Sequence, residues 1–288
     1  MQKYSLDVIG THLDIYVDIT EDISSLFESI GKRLQDFENK YSRFLEGNWL
    51  SELNTTRRGK LDIDARNMVE YAIEVAQNTN GYFDPTVGKR LTELGYGNKN
   101  NQSVIATKEA IHVSENGDYR DIEIVGDDVI LHGDIELEFG GVGKGYLIDV
   151  IKGFLEKYPR FLINFGGDMY GRGDWRVGLE SPFAADEVIG LIHLLDDFLA
   201  CSAGTKRKWG NHHHLIDPHT GASATEVVAT YIEGKSGISV DSYATALSVM
   251  PWNMACEVFQ KTPEITGVIV SKEGNIFQKE GSRAEVFE

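Results

Sequence analysis

The sequence predicts an α+β protein, a single domain over residues 1–288 with a mixed, largely antiparallel sheet and flanking helices. Three observations lead there. Apolar residues recur at spacings of three and four in some stretches and at every second position in others, without a regular strand–helix–strand alternation. Short turns rich in Gly, Asp and Asn separate the period-two stretches, as hairpins require. No internal repeat or low-complexity linker divides the chain, and 288 residues suffice to bury a core without disulfide or metal staples.

Residues 5–19 read as extended, interrupted at Gly10-Thr11. Thr20 is the expected N-cap of a first helix, with Glu21 and Asp22 complementing its N-terminal dipole. Phe27, Ile30, Leu34, Phe37 and Tyr41 then mark one buried helical face. The polar segment 43–60 is expected to be an ordered loop. Asp64 should cap a second helix through Met68, Ala72 and Val75, stopped at Asn80-Gly81. Strands are expected from Ile122 to Phe139, with turns at Gly126-Asp127-Asp128 and His132-Gly133-Asp134. A Gly-rich turn at 140–145 opens a third helix through Leu147, Ile148, Ile151 and Leu155, which Pro159 ends before a short buried strand at Phe161–Phe165. Several strands follow between Trp175 and Tyr231. A fourth helix should begin after Asp241, with another past Pro251, and a hairpin over 267–278 turns at Glu273-Gly274-Asn275.

Charge and cysteine usage narrow the function. Twenty-eight Lys and Arg face 45 Asp and Glu, a net charge of −17. Nucleic acid binding needs a cationic stripe, so it is excluded as the main function. A phosphate site in so acidic a chain needs local cations or a metal. Cys201 and Cys256 form no Cys-x-x-Cys pair, which leaves no disulfide framework or thiolate zinc site. The N-terminus lacks the apolar run of a signal peptide, and no stretch reaches the roughly 20 apolar residues of a membrane span. A cytoplasmic location is the expectation.

Five segments carry possible chemistry. Glu138-Phe-Gly-Gly-Val-Gly-Lys-Gly145 places glycines and Lys144 at a helix start, where backbone N–H groups can approach a phosphate. It is not a Walker A loop, which needs Gly where Glu138 stands and Ser or Thr where Gly145 stands. Read alone, it is equally a tight strand-to-helix turn. Asn164-Phe-Gly-Gly-Asp168 either binds a ligand or closes an Asx turn. In His212-His213-His214-Leu-Ile-Asp217, neighbouring histidines on an extended chain point to opposite faces, which argues against a shared zinc. A His three residues before Asp217 suits a base with an orienting carboxylate. Asp241 and Thr245 sit four apart on a helix, hard oxygens suited to Mg²⁺, or a capping Asp and an ordinary helical Thr. Tyr82, Phe83 and Asp84 can stack a planar ligand or pack the core.

Taken together and in order, Ile9-Gly-Thr11, Tyr41-Ser-Arg-Phe44 with Leu50–Asn54, Asn80-Gly-Tyr-Phe-Asp-Pro-Thr-Val-Gly88, Gly140–Gly145, Asn164–Asp168, His213–Pro218 and Asp241–Ala246 resemble the FAD:protein FMN transferase (ApbE) family. The resemblance implies a single α+β catalytic domain that takes FAD with Mg²⁺ and attaches FMN through a phosphoester bond to a Ser or Thr of a partner flavoprotein, releasing AMP. It implies Gly141, Asp241 and Thr245 as metal ligands, and Ser42, Arg43, Tyr82, Phe83, Asp84, Lys144, Asn164 and Leu215 in the FAD site. His214 is then the catalytic histidine, with Asp217 fixing its tautomer. The family pattern usually has Met at Ile9, Asp at Glu138 and Ser at Ala203. A FAD diphosphatase would use the same residues with water as acceptor, whereas a passive flavin-binding protein would need neither base nor metal.

Overall fold

Alternation at the N-terminus becomes a hairpin in the computed structural model, which describes residues 1–96, 117–205, 207–210 and 212–287. Strands β1 (Gln2–Val8) and β2 (Thr11–Val17) pair antiparallel about a two-residue turn in which Ile9 (φ 56°) and Gly10 (φ 67°) are both left-handed. Leu13, Ile15 and Val17 face the core.

Helix α1 (Ser24–Tyr41) buries the five residues its spacing predicts. Each such side chain contributes about 1.5–3 kcal/mol on burial. Thr20 does not cap it. The N-cap position is Ile23, and the Asp22 carboxylate accepts from the Ser24 N–H and hydroxyl instead. Segment 43–60 is not a loop, since it holds α2 (Trp49–Thr56) and β3 (Arg58–Lys60). Asn48 accepts from the Ser51 N–H at 2.9 Å while Ser51 Oγ accepts from the Asn48 N–H at 3.1 Å, a capping box with Ser where Glu or Gln is usual. Helix α3 (Ile63–Asn78) is capped by Asp62 rather than Asp64, which pairs with Arg33 and Tyr146. After α4 (Gly88–Glu93), β4 (Ile122–Val125) and β5 (Asp128–Leu131) join β3 in a small sheet of order β3-β5-β4. The expected strand region beyond Leu131 carries only a parallel bridge from Glu136 to Val87.

Helix α5 (Gly143–Leu155) and β6 (Phe161–Phe165) arise where expected. The long strands β7 (Asp168–Glu180) and β8 (Val188–Ala203) follow, then the short pair β9 (Lys208–Trp209) and β10 (His212–His213), and β11 (Val227–Gly234). Helix α6 (Gly237–Val249) begins four residues before Asp241, so Asp241 is an interior helical residue rather than a cap. Every residue of α6 except Thr245 is buried. Helix α7 (Trp252–Lys261), the hairpin of β12 (Ile265–Ser271) and β13 (Ile276–Gln278), and β14 (Ala284–Val286) complete the described chain.

The main sheet runs β1-β2-β6-β7-β8-β11-β12-β13, with β14 also on β8, and every ladder is antiparallel. One face packs on the helices, and the other gathers Leu179, Ile192, Leu194, Tyr231 and Val268 into a second core. Helices α5 and α6 meet at glycines. A Cβ on Gly145 would strike the Gly237 carbonyl and lie 2.7 Å from Asp241 Cβ, and one on Gly237 would strike the Gly145 carbonyl. This close approach sets Lys144 beside Asp241. Among the described residues, no helix is long and apolar enough to cross a membrane.

Candidate active site

A cavity of about 470 Å³ opens where the two cores meet a third apolar cluster of Val87, Leu91, Leu94 and Ile216. Its first wall is the α5–α6 junction. The Gly145 N–H donates to Asp241 Oδ2 at 2.9 Å, which fixes that carboxylate and leaves Oδ1 3.6 Å from Lys144 Nζ. Lys144 also pairs with Asp168. Burial opposes the ammonium charge, but the two carboxylates outweigh it and push Lys144 up to about 12. Thr245 lies one turn along α6 from Asp241 and lines the cavity with it. Gly141 completes the cluster, since a Cβ there would meet Thr245 Cγ2 at 3.3 Å and the Phe83 ring at 2.8 Å.

A second part of the cavity lining is the segment after β10. His213 and His214 take different environments, as an extended chain requires. The His213 ring bonds the Ala224 carbonyl at 2.7 Å, whereas His214 faces the cavity against Tyr96. Burial, followed by the charges of Arg207 and Lys144, pushes His214 down to about 3. The ring is therefore neutral at ordinary pH, and its buried Nδ1 has no hydrogen-bond partner among the described residues. Asp217 does not orient it. The Asp217 carboxylate accepts from the His219 N–H and the Thr220 hydroxyl, both at 2.9 Å, and so closes its own turn.

Among the remaining predicted residues, Tyr82, Phe83, Asp84 and Leu215 line the cavity, and Ser42, Arg43 and Asn164 do not. Tyr82 packs on His219 with ring centroids 4.3 Å apart. Burial pushes Asp84 up to about 6, and its carboxylate accepts from Thr86 and the Tyr119 N–H. Ser42 Oγ accepts from the Phe44 N–H. Arg43 donates to the Gly88 carbonyl and Thr92, leaving a buried Nη1 without a partner among the described residues. Asn164 closes its own turn by accepting from the Gly167 N–H three residues on at 3.1 Å, so the cavity meets Gly166 and Gly167 rather than the amide. Gly166 (φ 65°) abuts Thr11, where any Cβ would strike the hydroxyl.

Sequence reading missed Arg207, a cavity-lining cation whose charge acts on His214, Lys144 and Glu138. The cationic run around residue 207 was its only local signal. Glu138, also on the cavity, accepts from the Gly140 N–H, and burial raises its pKa. Among the described residues, no three His, Cys, Asp or Glu side chains converge as a metal cluster. The Asp241 carboxylate, the Thr245 hydroxyl and the Gly141 backbone line the cavity, and hard oxygens of these kinds suit Mg²⁺ with further ligands from water or phosphate.

Known proteins share the family sequence pattern and this fold. The sequence model of the ApbE family matches residues 9–269. A FAD:protein FMN transferase of Klebsiella pneumoniae is 26% identical over 153 residues, covering 49% of this chain and 48% of that protein, so the match spans about half of the relative's length. One from Vibrio cholerae is 23% identical over 256 residues, covering 80% of this chain and 74% of the relative. In fold, the solved ApbE protein of Thermotoga maritima superposes with a TM-score of 0.86 at 24% identity, over 97% of both chains. The flavin transferase ApbE of Vibrio cholerae does so with a TM-score of 0.86 at 21% identity, also over 97% of both. A family match across 261 consecutive positions (residues 9–269), on a chain with this fold and this cavity, shows that the protein belongs to the ApbE family.

Proposed function

We propose that this protein is a FAD:protein FMN transferase that links FMN through a phosphoester to a Ser or Thr hydroxyl of a partner flavoprotein, with AMP leaving. One observation carries the reading: Lys144, Asp241, Thr245 and Gly141 line a single cavity together with a neutral, buried His214. Passive flavin binding calls for no such base. Phosphoryl transfer depends on positioning and charge neutralisation more than on covalent help from the protein. Asp241, Thr245 and the Gly141 carbonyl would hold Mg²⁺, which supplies charge neutralisation at the diphosphate.

The chain's own groups do the rest. Lys144 offers a point charge to the diphosphate. The acceptor oxygen attacks the phosphorus on the FMN side, its proton passes to the neutral His214 imidazole, and the bond to the AMP phosphate breaks. Burial first, and then the charge of neighbouring Arg207, keeps His214 unprotonated before the anionic substrate arrives. Glycines 10 and 167, beside which a Cβ would meet nothing within 4 Å, leave room for the substrate at the β1–β2 and β6–β7 turns.

Incubating the protein with FAD, Mg²⁺ and candidate flavoproteins, followed by intact-mass spectrometry, tests the proposal. The expected result is acceptor carrying one FMN, with an equal amount of free AMP. Free FMN plus AMP without an adduct would make the protein a diphosphatase, and intact FAD would make it a binder. Asp241→Ala should abolish the adduct at ordinary Mg²⁺ concentrations, and full turnover by that variant in chelator would contradict the ligand assignment.

A further inference from the structure

Asp168 is 1% exposed and takes no part in the transfer scheme above, yet it contacts the residue that faces the diphosphate. Its two oxygens have separate partners. Oδ1 accepts the Cys201 N–H of β8 at 3.0 Å, and Oδ2 pairs with Lys144 Nζ. Lys144 Nζ also lies 3.6 Å from Asp241 Oδ1, while Asp241 Oδ2 is held by the Gly145 N–H. The buried ammonium is thus shared between two carboxylates and sits nearer Asp168.

We propose that Asp168 is a positioning residue that holds Lys144 off Asp241, keeping that carboxylate open to a divalent cation. The proposal rests on the reading of Asp241 as a cation ligand. A lysine ammonium is a point charge on a flexible four-carbon stem. In a buried site, where charge interactions are strong, it settles on the nearest carboxylate. With the Asp168 charge removed, Asp241 is the remaining carboxylate paired with Lys144, and the ammonium then competes with the cation for the same oxygen. A purely structural Asp168 would serve only to tie β7 to β8 through Cys201.

Mn²⁺ affinity, read without FAD by the electron paramagnetic resonance of the free ion, separates these roles. Asp168→Asn keeps an acceptor for the Cys201 N–H and removes the charge. It should weaken Mn²⁺ binding about tenfold, the coupling expected of neighbours in one charge network. Adding Lys144→Met should restore the affinity, because the competitor is gone. Wild-type affinity in Asp168→Asn, or an undiminished loss in the double variant, would overturn the proposal. Asp168→Ser serves the same comparison if the amide variant does not fold. Asp241→Asn distinguishes the two ideas: unchanged Mn²⁺ affinity there removes the cation site and this proposal with it. A loss in Asp241→Asn with none in Asp168→Asn overturns this proposal alone.

Discussion

The two walls of the cavity are built by opposite means. The α5–α6 wall is close-packed: two glycines in contact, α6 buried except at Thr245, and an ammonium shared by two carboxylates. The wall after β10 is held by a two-residue strand pair, the turn that Asp217 closes, and a few side-chain bonds, and it presents a histidine with a buried nitrogen that has no hydrogen-bond partner among the described residues. Under the proposed reaction, charge must be placed before substrate arrives, so its wall should be rigid, whereas a base needs only to be neutral and within reach. Rigidity is spent where the charge sits.

The contrast breaks most readily at Lys144. Beside a glycine turn, a lysine looks dispensable for folding, but this one pairs with two carboxylates of 3% side-chain exposure or less. Lys144→Ala should destabilise the fold by about 3–5 kcal/mol, the cost of stranding a buried charge. Chemical denaturation measures this, and a loss below about 1 kcal/mol would mean that water reaches the pair. Gly145→Ala probes the glycine contact. The added methyl meets backbone that cannot move aside, costing about 1–3 kcal/mol. Gly153→Ala, on the same helix with open space around the new methyl, should instead stabilise by about 0.5–1 kcal/mol. Equal thermal shifts for the two variants would remove the α5–α6 contact from the account.

On the other wall, the smallest effect expected is a missing one. An ordinary histidine titrates near 6.5, and a base of that kind would give kcat/KM a rising limb there. His214 is pushed down to about 3, so its proton is already off in the free enzyme, and kcat/KM should show no His214 limb between pH 6 and 8. Stability follows the same shift. The unfolded chain takes up the proton between about pH 6.5 and 3 while the folded chain does not, so this contribution is full above 6.5 and is lost as pH falls. Wild type should lose more stability on acidification than His214→Gln, as urea melts at pH 7 and pH 5 would show.

How legible each wall was follows from the same difference. Local spacing encodes the charged wall: Lys144 in its glycine run and Asp241 four before Thr245. The amphipathic α1 was equally readable. Helix α6 was misplaced because a helix buried on nearly every side has no polar face to mark its start, and Asp241 inside it resembles a cap. Helix α2 hid behind a capping box made with Ser51. Ser42, Asn164 and Asp217 are polar residues whose own backbone neighbours claim them, a competition sequence spacing does not show. Arg207 and Asp168 reach the site from distant strands and turns, so only the folded sheet brings them there.

The division of labour is tested most directly by His214→Ala, with FAD binding titrated by flavin fluorescence and FMN transfer followed in a single turnover. Transfer should fall about 10²–10⁴-fold, the range for losing a general base, while FAD affinity stays within about twofold. His212→Ala, in the β9–β10 pair, should leave both unchanged. A fall in FAD affinity that matches the fall in transfer would contradict the account, because the histidine wall would then bind the substrate rather than move its proton.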